Sequence, residues 1–286
     1  MRRQREMRYL SYNCKGEYCY GILKDGRIYR IICEQPDLDG YISCGLNMTE
    51  KEILACGDSV ALEDVQLLSP FTRDMHLLCV GLNYWSHAEE FEKAMSDGVK
   101  GDESMYFIKR VHGCLGSGQR LKARLDLDPE CDYETELGVI IGKEMPPGSE
   151  IDEDTIFGYT IVNDFTSRRL QKKYKQYALG KSLDTYCAMG PVIVTADEIA
   201  NPADLYIRGY KNGELVQDSR TSLMRRNVEG IIKDLNQGMT LHRGDVIATG
   251  TPAGVAVGKN NPLAFLREGD IFKCEIEGIG ELITRL

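Results

Sequence analysis

The sequence predicts a mainly β protein of the α+β class, with its strands closed or folded over into layers. Three observations carry that expectation. Short apolar or β-branched runs recur at strand length, turns containing Gly separate them, and helical segments are few. The glycines at 113, 116 and 118 do not open a helix after a strand, so they form no dinucleotide fingerprint.

In chain order, residues 7 to 33 alternate apolar and polar positions around Asp25-Gly26, a pair favoured in two-residue hairpin turns. A short helix is expected over Glu50 to Cys56, where Thr49 and Glu52 form a capping box and Gly57 offers a stop. The stretch Leu67 to Asp74 contains Pro70 and reads as a linker. It places a small β-rich N-terminal domain at residues 1–72 and the main domain at 73–286.

The main domain should hold strands at Met75–Val80, Leu137–Ile141, Gly158–Val162 and Pro191–Thr195. A second capping box, Ser86 and Glu89, predicts a helix start with His87 in its first turn. Asn212-Gly213 turns a second hairpin between Leu205–Tyr210 and Glu214–Gln217. A helix over Asn227 to Asn236, ending by Gly238, precedes strands at Val246–Ala248, Ile271–Glu277 and Glu281–Thr284.

Composition narrows the classes of function. Lys and Arg total 35 against 44 Asp and Glu, a formal charge of −9 without a dense basic stripe, which argues against nucleic acid as a partner. The basic start at residues 1–5 leads into no apolar stretch of signal-peptide type, and no run is long enough for a membrane span. The ten cysteines form no C-x-x-C pair and read as reduced thiols. A soluble, cytoplasmic protein is the expectation.

Four clusters could carry chemistry. In Asp132-Tyr133-Glu134-Thr135-Glu136-Leu137, the two glutamates are two apart and would share one face of a strand. Carboxylates so placed repel unless water or a hard cation neutralises them, and a solvated strand edge is the plainer reading. Asp164 ends an apolar run, where it could line a cavity or cap a turn. Arg168, Gln171 and Lys181 follow as cationic and amide donors. His87 and Glu90, three apart on a helix, could act as an imidazole base with its orienting carboxylate, or be incidental surface groups. His76, His112 and His242 have no comparable neighbours in sequence. Thr249-Gly250-Thr251-Pro252-Ala253-Gly254 offers backbone N–H groups and a hydroxyl to an anion, or is a plain turn.

Taken in order, these blocks resemble the fumarylacetoacetate hydrolase family. The resemblance rests on Val80-Gly81-Leu82-Asn83-Tyr84-Trp85-Ser86-His87-Ala88-Glu89-Glu90, Asp132 to Leu137, Asn163-Asp164-Phe165-Thr166-Ser167-Arg168, Gly180-Lys181-Ser182-Leu183-Asp184-Thr185 with Gly190-Pro191, Thr249 to Val255, and Glu277-Gly278-Ile279-Gly280. It is dense from about residue 75 onward and looser before it.

The resemblance implies a catalytic domain built as a mixed β-sandwich roll, usually homodimeric, that binds Mg2+ or Mn2+, with Ca2+ as a substitute in crystals. By that likeness Glu134, Glu136 and Asp164 are the metal ligands. His87 and Glu90 match an acid–base pair on a mobile lid helix, and Lys181 a lysine that stabilises an enolate. Arg168, Gln171 and Thr251 match substrate-binding positions.

The implied activity is divalent-metal-dependent C–C hydrolysis of small 2,4-diketo acids of the acylpyruvate or fumarylacetoacetate type, through an enolate held at the metal. The alternative is an isomerase, tautomerase or decarboxylase of 2-oxo or 2-hydroxymuconate-type dicarboxylic acids, oxaloacetate included. A binding protein without turnover is a third reading, which the presence of both His87 and Glu90 argues against. The chain departs from the family pattern at Arg169, a charge reversal, and at Ala188 and Ala256.

Overall fold

Both dipeptide turns form hairpins. Asp25 and Gly26 have φ of 50° and 74°, and Asn212 and Gly213 have 52° and 85°. Positive φ at both central residues is what a two-residue turn matched to strand twist requires, and these residue types tolerate it. The computed structural model describes residues 6–46, 48–95, 104–259 and 261–286, so the basic start at residues 1–5 lies outside the described residues.

The N-terminal part contains β1 (Arg8–Cys14), β2 (Glu17–Lys24), β3 (Arg27–Arg30), α1 (Leu38–Ser43), α2 (Glu50–Ala55), β4 (Ser59–Ala61) and β5 (Gln66–Leu68). The capping box on α2 forms as expected: Glu52 N–H donates to Thr49 Oγ1 at 3.3 Å and Thr49 N–H to Glu52 Oε2 at 2.7 Å. Next come β6 (Met75–Gly81), α3 (Trp85–Met95), β7 (Met105–Val111), β8 (Cys131–Asp132), β9 (Thr135–Ile141), β10 (Ile156–Asp164) and β11 (Thr166–Ser167). Two short helices, α4 (Arg168–Tyr174) and α5 (Tyr177–Lys181), lead to β12 (Cys187–Thr195). The chain closes with β13 (Tyr206–Lys211), β14 (Glu214–Arg220), α6 (Val228–Asn236), β15 (Val246–Ala248), β16 (Ile271–Ile276) and β17 (Gly280–Arg285).

Eleven strands make the large sheet, in the order β4-β3-β2-β1-β12-β10-β9-β15-β6-β7, with β5 also on β1. A four-stranded sheet, β14-β13-β16-β17, packs over it. The period-two rule sorts the core: Leu137, Val139 and Ile141 of β9 share an apolar cluster with Ile207, Phe272, Cys274 and Leu282 of the small sheet. Ile140 joins a second cluster with Leu38, Tyr41 and Ile42 of α1. Strands on either side of residue 72 pair directly, Tyr9 of β1 with Ile193 of β12, so hydrogen bonding runs unbroken across that position.

Three local expectations need correcting. The helix with His87 begins at Trp85, and Ala88 N–H bonds Tyr84 O at 2.9 Å, so Ser86 lies inside the first turn instead of capping it. Asn83 takes over the anchoring there, its amide donating to Thr249 O at 2.7 Å and Arg226 O at 3.0 Å. Helices α4 and α5 were not expected, because R-R-L-Q-K-K-Y and Y-A-L-G-K are too short to show an apolar period. Tertiary contacts supply α4's start: the Asp128 carboxylate, from a distant loop, accepts Arg169 N–H at 2.9 Å and Leu170 N–H at 3.4 Å. Finally, Glu134 precedes β9 in the link from β8, and only Glu136 lies in the strand. Among the described residues, no helix is long and apolar enough to cross a membrane.

Candidate active site

Strands β9 and β10 carry three acids to one point. Glu136 is paired with Val162 and Thr135 with Asn163, so the end of β10 lies beside the start of β9. Asp164 N–H donates to Glu134 O at 3.0 Å, and Glu134 N–H to Asn163 Oδ1 at 3.1 Å, locking the link segment against β10. Glu134, Glu136 and Asp164 are all buried, and one ligand oxygen from each lies within 4.8 Å of the others.

Charge of both signs is concentrated there. Lys181 Nζ donates to Glu134 Oε2 at 2.6 Å and to Asp164 Oδ2 at 2.5 Å. Arg168, fully buried, donates from Nη2 to Glu134 Oε1 at 2.6 Å, from Nε to Asp132 Oδ2 at 2.8 Å and from Nη1 to Gln171 Oε1 at 3.1 Å. The helices α4 and α5 place Arg168, Gln171 and Lys181 together. Asp132 in turn accepts Ala256 and Val257 N–H at 2.8 and 3.1 Å, tying Arg168 to the chain below α3.

The two glutamates titrate in opposite directions. Burial pushes Glu134 up, but the Lys181 and Arg168 charges override it and hold its carboxyl at about 2. Burial, then the Asp164 and Glu134 charges, push Glu136 well above the usual carboxylate range, with Lys181 and the Gly250 N–H opposing them. For Lys181, burial works against the charged form, and Asp164 and Glu134 outweigh it and raise its pKa.

Across the cleft, α3 presents His87, whose Nδ1 lies 3.4 Å from Glu90 Oε2. Glu90 accepts the Gly254 N–H at 3.2 and 3.1 Å on its two oxygens. A methyl group at Gly258 would come within 2.1 Å of the Glu90 carboxyl carbon, so only glycine admits that side chain. The Gly-rich turn serves the protein's own acids: Gly250 N–H bonds Glu136 Oε2 at 2.8 Å, and Gly254 N–H bonds Glu90. Thr251 Oγ1 donates to Thr135 O at 3.0 Å and accepts from Gln217 Nε2 at 2.8 Å.

The cleft between these walls is narrow and is lined by His87, Glu134, Glu136, Arg168, Gln171, Lys181 and Thr251. Asp164 and Glu90 belong to the same network without lining it. Arg169 is exposed and does not line the cleft, so the charge reversal faces solvent. Two remote histidines do find carboxylates, His112 with Asp74 at 2.7 Å and His242 with Glu144 at 3.0 Å, both on the surface.

Sequence reasoning missed Lys109. It is 1% exposed, and its Nζ donates to Asp164 Oδ1, to Phe165 O at 3.1 Å and to Tyr186 O at 2.5 Å. It sits on β7, the last strand of the large sheet, where a lysine ordinarily reads as edge protection. Asp132 opens the Asp132 to Leu137 segment, but nothing in its spacing links it to Arg168.

Residues 76–286 match the family model described as fumarylacetoacetate (FAA) hydrolase C-terminal. The chain belongs to that family. It is 41% identical over 228 residues, 79% of this chain and 74% of the relative, to oxaloacetate tautomerase YisK of Bacillus subtilis (strain 168). The fumarylacetoacetate hydrolase of Exiguobacterium antarcticum superposes with a TM-score of 0.82 at 35% identity, covering 98% of this chain and 99% of that one. Maleylpyruvate hydrolase from Sphingobium sp. SYK-6, solved with manganese(II) and pyruvate, gives a TM-score of 0.76 at 25% identity over 98% of both chains.

The acids here fit such an ion. The cluster offers only oxygen donors, which suits a hard divalent cation, and it is buried so that one acid, Glu136, is pushed toward its protonated form.

Proposed function

We propose that the protein is a divalent-metal-dependent keto–enol tautomerase of small 2-oxo dicarboxylic acids of the oxaloacetate kind. The observation that carries this reading is the His87–Glu90 pair facing a buried carboxylate–lysine cluster across a small cleft. Tautomerisation needs a base on one side of the substrate and positive charge on the other. It needs neither an attacking water nor room for a large leaving group. The 41% identity to an oxaloacetate tautomerase supports the same reading.

A divalent ion, Mg2+ or Mn2+, held by Glu134, Glu136 and Asp164 would polarise the 2-oxo group as a Lewis acid. The protein's own groups do the rest. With Nδ1–H donated to Glu90, the His87 imidazole keeps Nε2 as its basic nitrogen, which takes a proton from the carbon between the carbonyl and the distal carboxylate. Negative charge then gathers on the 2-oxo oxygen, where the Lys181 ammonium stabilises it and supplies the proton. Arg168, Gln171 and Thr251 line the cleft as candidate contacts for the substrate's carboxylates.

The same base could activate water, which favours C–C hydrolysis of 2,4-diketo acids as a second reading. The deciding assay follows loss of the enol of oxaloacetate by ultraviolet absorbance, and pyruvate release from acylpyruvates, with Mg2+, Mn2+ or EDTA. The tautomerase reading expects metal-dependent enol loss without acylpyruvate cleavage. Cleavage faster than tautomerisation would put the hydrolase in its place, and full activity in EDTA would overturn both. A homodimer in the cytoplasm is part of the proposal, its stoichiometry measurable by light scattering.

A further inference from the structure

Lys109 and Lys181 hold opposite oxygens of Asp164, and they are themselves held differently. An ammonium has three N–H donors. All three on Lys109 are used, on Asp164 Oδ1 and on the carbonyls of Phe165 and Tyr186. Those carbonyls belong to segments flanking the ends of β10 and β12, which are paired through Asp164 and Cys187, so neither acceptor is free to withdraw. Lys109 does not line the cleft. Lys181 does, and its acceptors, Glu134 Oε2 at 2.6 Å and Asp164 Oδ2 at 2.5 Å, are both carboxylates of the candidate metal site. Its Nζ also lies 5.4 Å from the centre of the Phe107 ring, another wall of the cleft.

A divalent ion entering among the acids would share with Lys181 the carboxylates of Glu134 and Asp164, and two cations on one pair of carboxylates repel. We propose that Lys109 is the permanent positioning residue of Asp164, and that the Lys181 ammonium is a stand-in cation which a divalent ion displaces from Glu134 and Asp164 into the cleft. The inference rests on the metal reading given above. It makes metal loading and delivery of Lys181 toward the substrate a single event. Without the ion, Lys181 stays committed to Glu134 and Asp164.

The test uses metal-stripped protein titrated with Mn2+, the free ion being followed by electron paramagnetic resonance. Lys181→Met, which removes the competing ammonium, is expected to bind Mn2+ about tenfold tighter than the wild type. Lys109→Gln is expected to bind roughly 10- to 100-fold more weakly. A second measurement works on the wild type alone, should Lys109→Gln fail to fold. Reductive methylation with and without Mn2+, read by mass spectrometry, should show Lys181 labelling faster once Mn2+ is bound while Lys109 stays unlabelled. Equal or weaker Mn2+ binding by Lys181→Met, unchanged binding by folded Lys109→Gln, or labelling of Lys181 that does not rise with Mn2+ would overturn the inference. Failure of the wild type to bind Mn2+ at all would remove the metal reading, and this inference with it.

Discussion

On the acidic wall of the cleft, Asp164 is gripped by two ammonium groups and Glu134 by a guanidinium and an ammonium. On the facing wall, His87 meets Glu90 at 3.4 Å, and Glu90 rests on one backbone N–H and against one glycine. The first wall grows from the large sheet and the helices packed beside it. The second is a single helix, α3, laid over the Thr251–Gly258 segment. Paired charges in a buried setting hold atoms in place because any departure leaves a charge uncompensated. On the described part of α3 the contacts at His87 and Glu90 are of another kind, an imidazole–carboxylate contact, a backbone N–H and a close approach to glycine. Such a difference separates a wall built from paired charges from a wall that presents an imidazole.

The largest effect that could break this comparison is expected from Glu136→Ala. Loss of this proposed ligand should abolish Mn2+ binding and lower kcat/KM by about a thousandfold or more, with the thermal transition retained. Full activity in that variant would remove the acidic wall from the mechanism. His87→Ala should lower kcat about a hundredfold yet leave Mn2+ affinity unchanged, because the two walls do separate work. A parallel fall in metal affinity would show that they do not.

The pH response sharpens the contrast within the acidic wall itself. Burial and the Asp164 and Glu134 charges raise Glu136, so a proton competes with a divalent ion there up to pH values above the usual carboxylate range. Mn2+ affinity should therefore fall about tenfold per pH unit below that carboxyl's pKa, with proton release seen by calorimetry in buffers of different ionisation enthalpy. For the metal-free fold, Glu136 stabilises while protonated, and this contribution is lost as pH rises through its raised value. Glu134 works in the opposite direction. Its contribution is present above the ordinary 4.5 and is lost as pH falls toward about 2. An affinity that is flat with pH would contradict the assignment of Glu136.

Smaller effects should follow on the helical wall and outside the cleft. Gly258→Ala places a methyl group 2.1 Å from the Glu90 carboxyl carbon, so Glu90 must move. A severalfold loss in kcat with unchanged metal affinity is expected, checked by the same assays. Arg169→Glu, on the exposed face of α4, should change neither activity nor stability by more than about 0.5 kcal/mol. A shift in substrate preference in that variant would show that the exposed cation reaches the substrate after all.

Much of this site was legible before the structure because its residues lie in short blocks whose order is characteristic of a family. Glu134, Glu136, Asp164, Arg168, Gln171, Lys181, His87 and Thr251 all meet around one cleft. Lys109 was not legible. A lysine in M-Y-F-I-K-R-V, on an edge strand, carries no local sign that it points inward. The helix start at Trp85 was misplaced for a similar reason. Ser86 and Glu89 have the spacing of a capping box, but the helix already begins at Trp85, just after Asn83, which is anchored to Thr249 and Arg226.

By itself, then, the sequence determined what short-range physics controls: the Asp25-Gly26 and Asn212-Gly213 hairpins, the Thr49 cap and the period-two strands; the three acids were singled out only by the family resemblance. Only the tertiary structure decided which charges those acids face. The partners of Asp164 come from β7 and α5, 55 and 17 residues away. The opposite titration of Glu134 and Glu136 depends on which of them those cations reach. Coulomb energy in a buried site falls with distance through space and is indifferent to separation along the chain. No spacing rule could have supplied it.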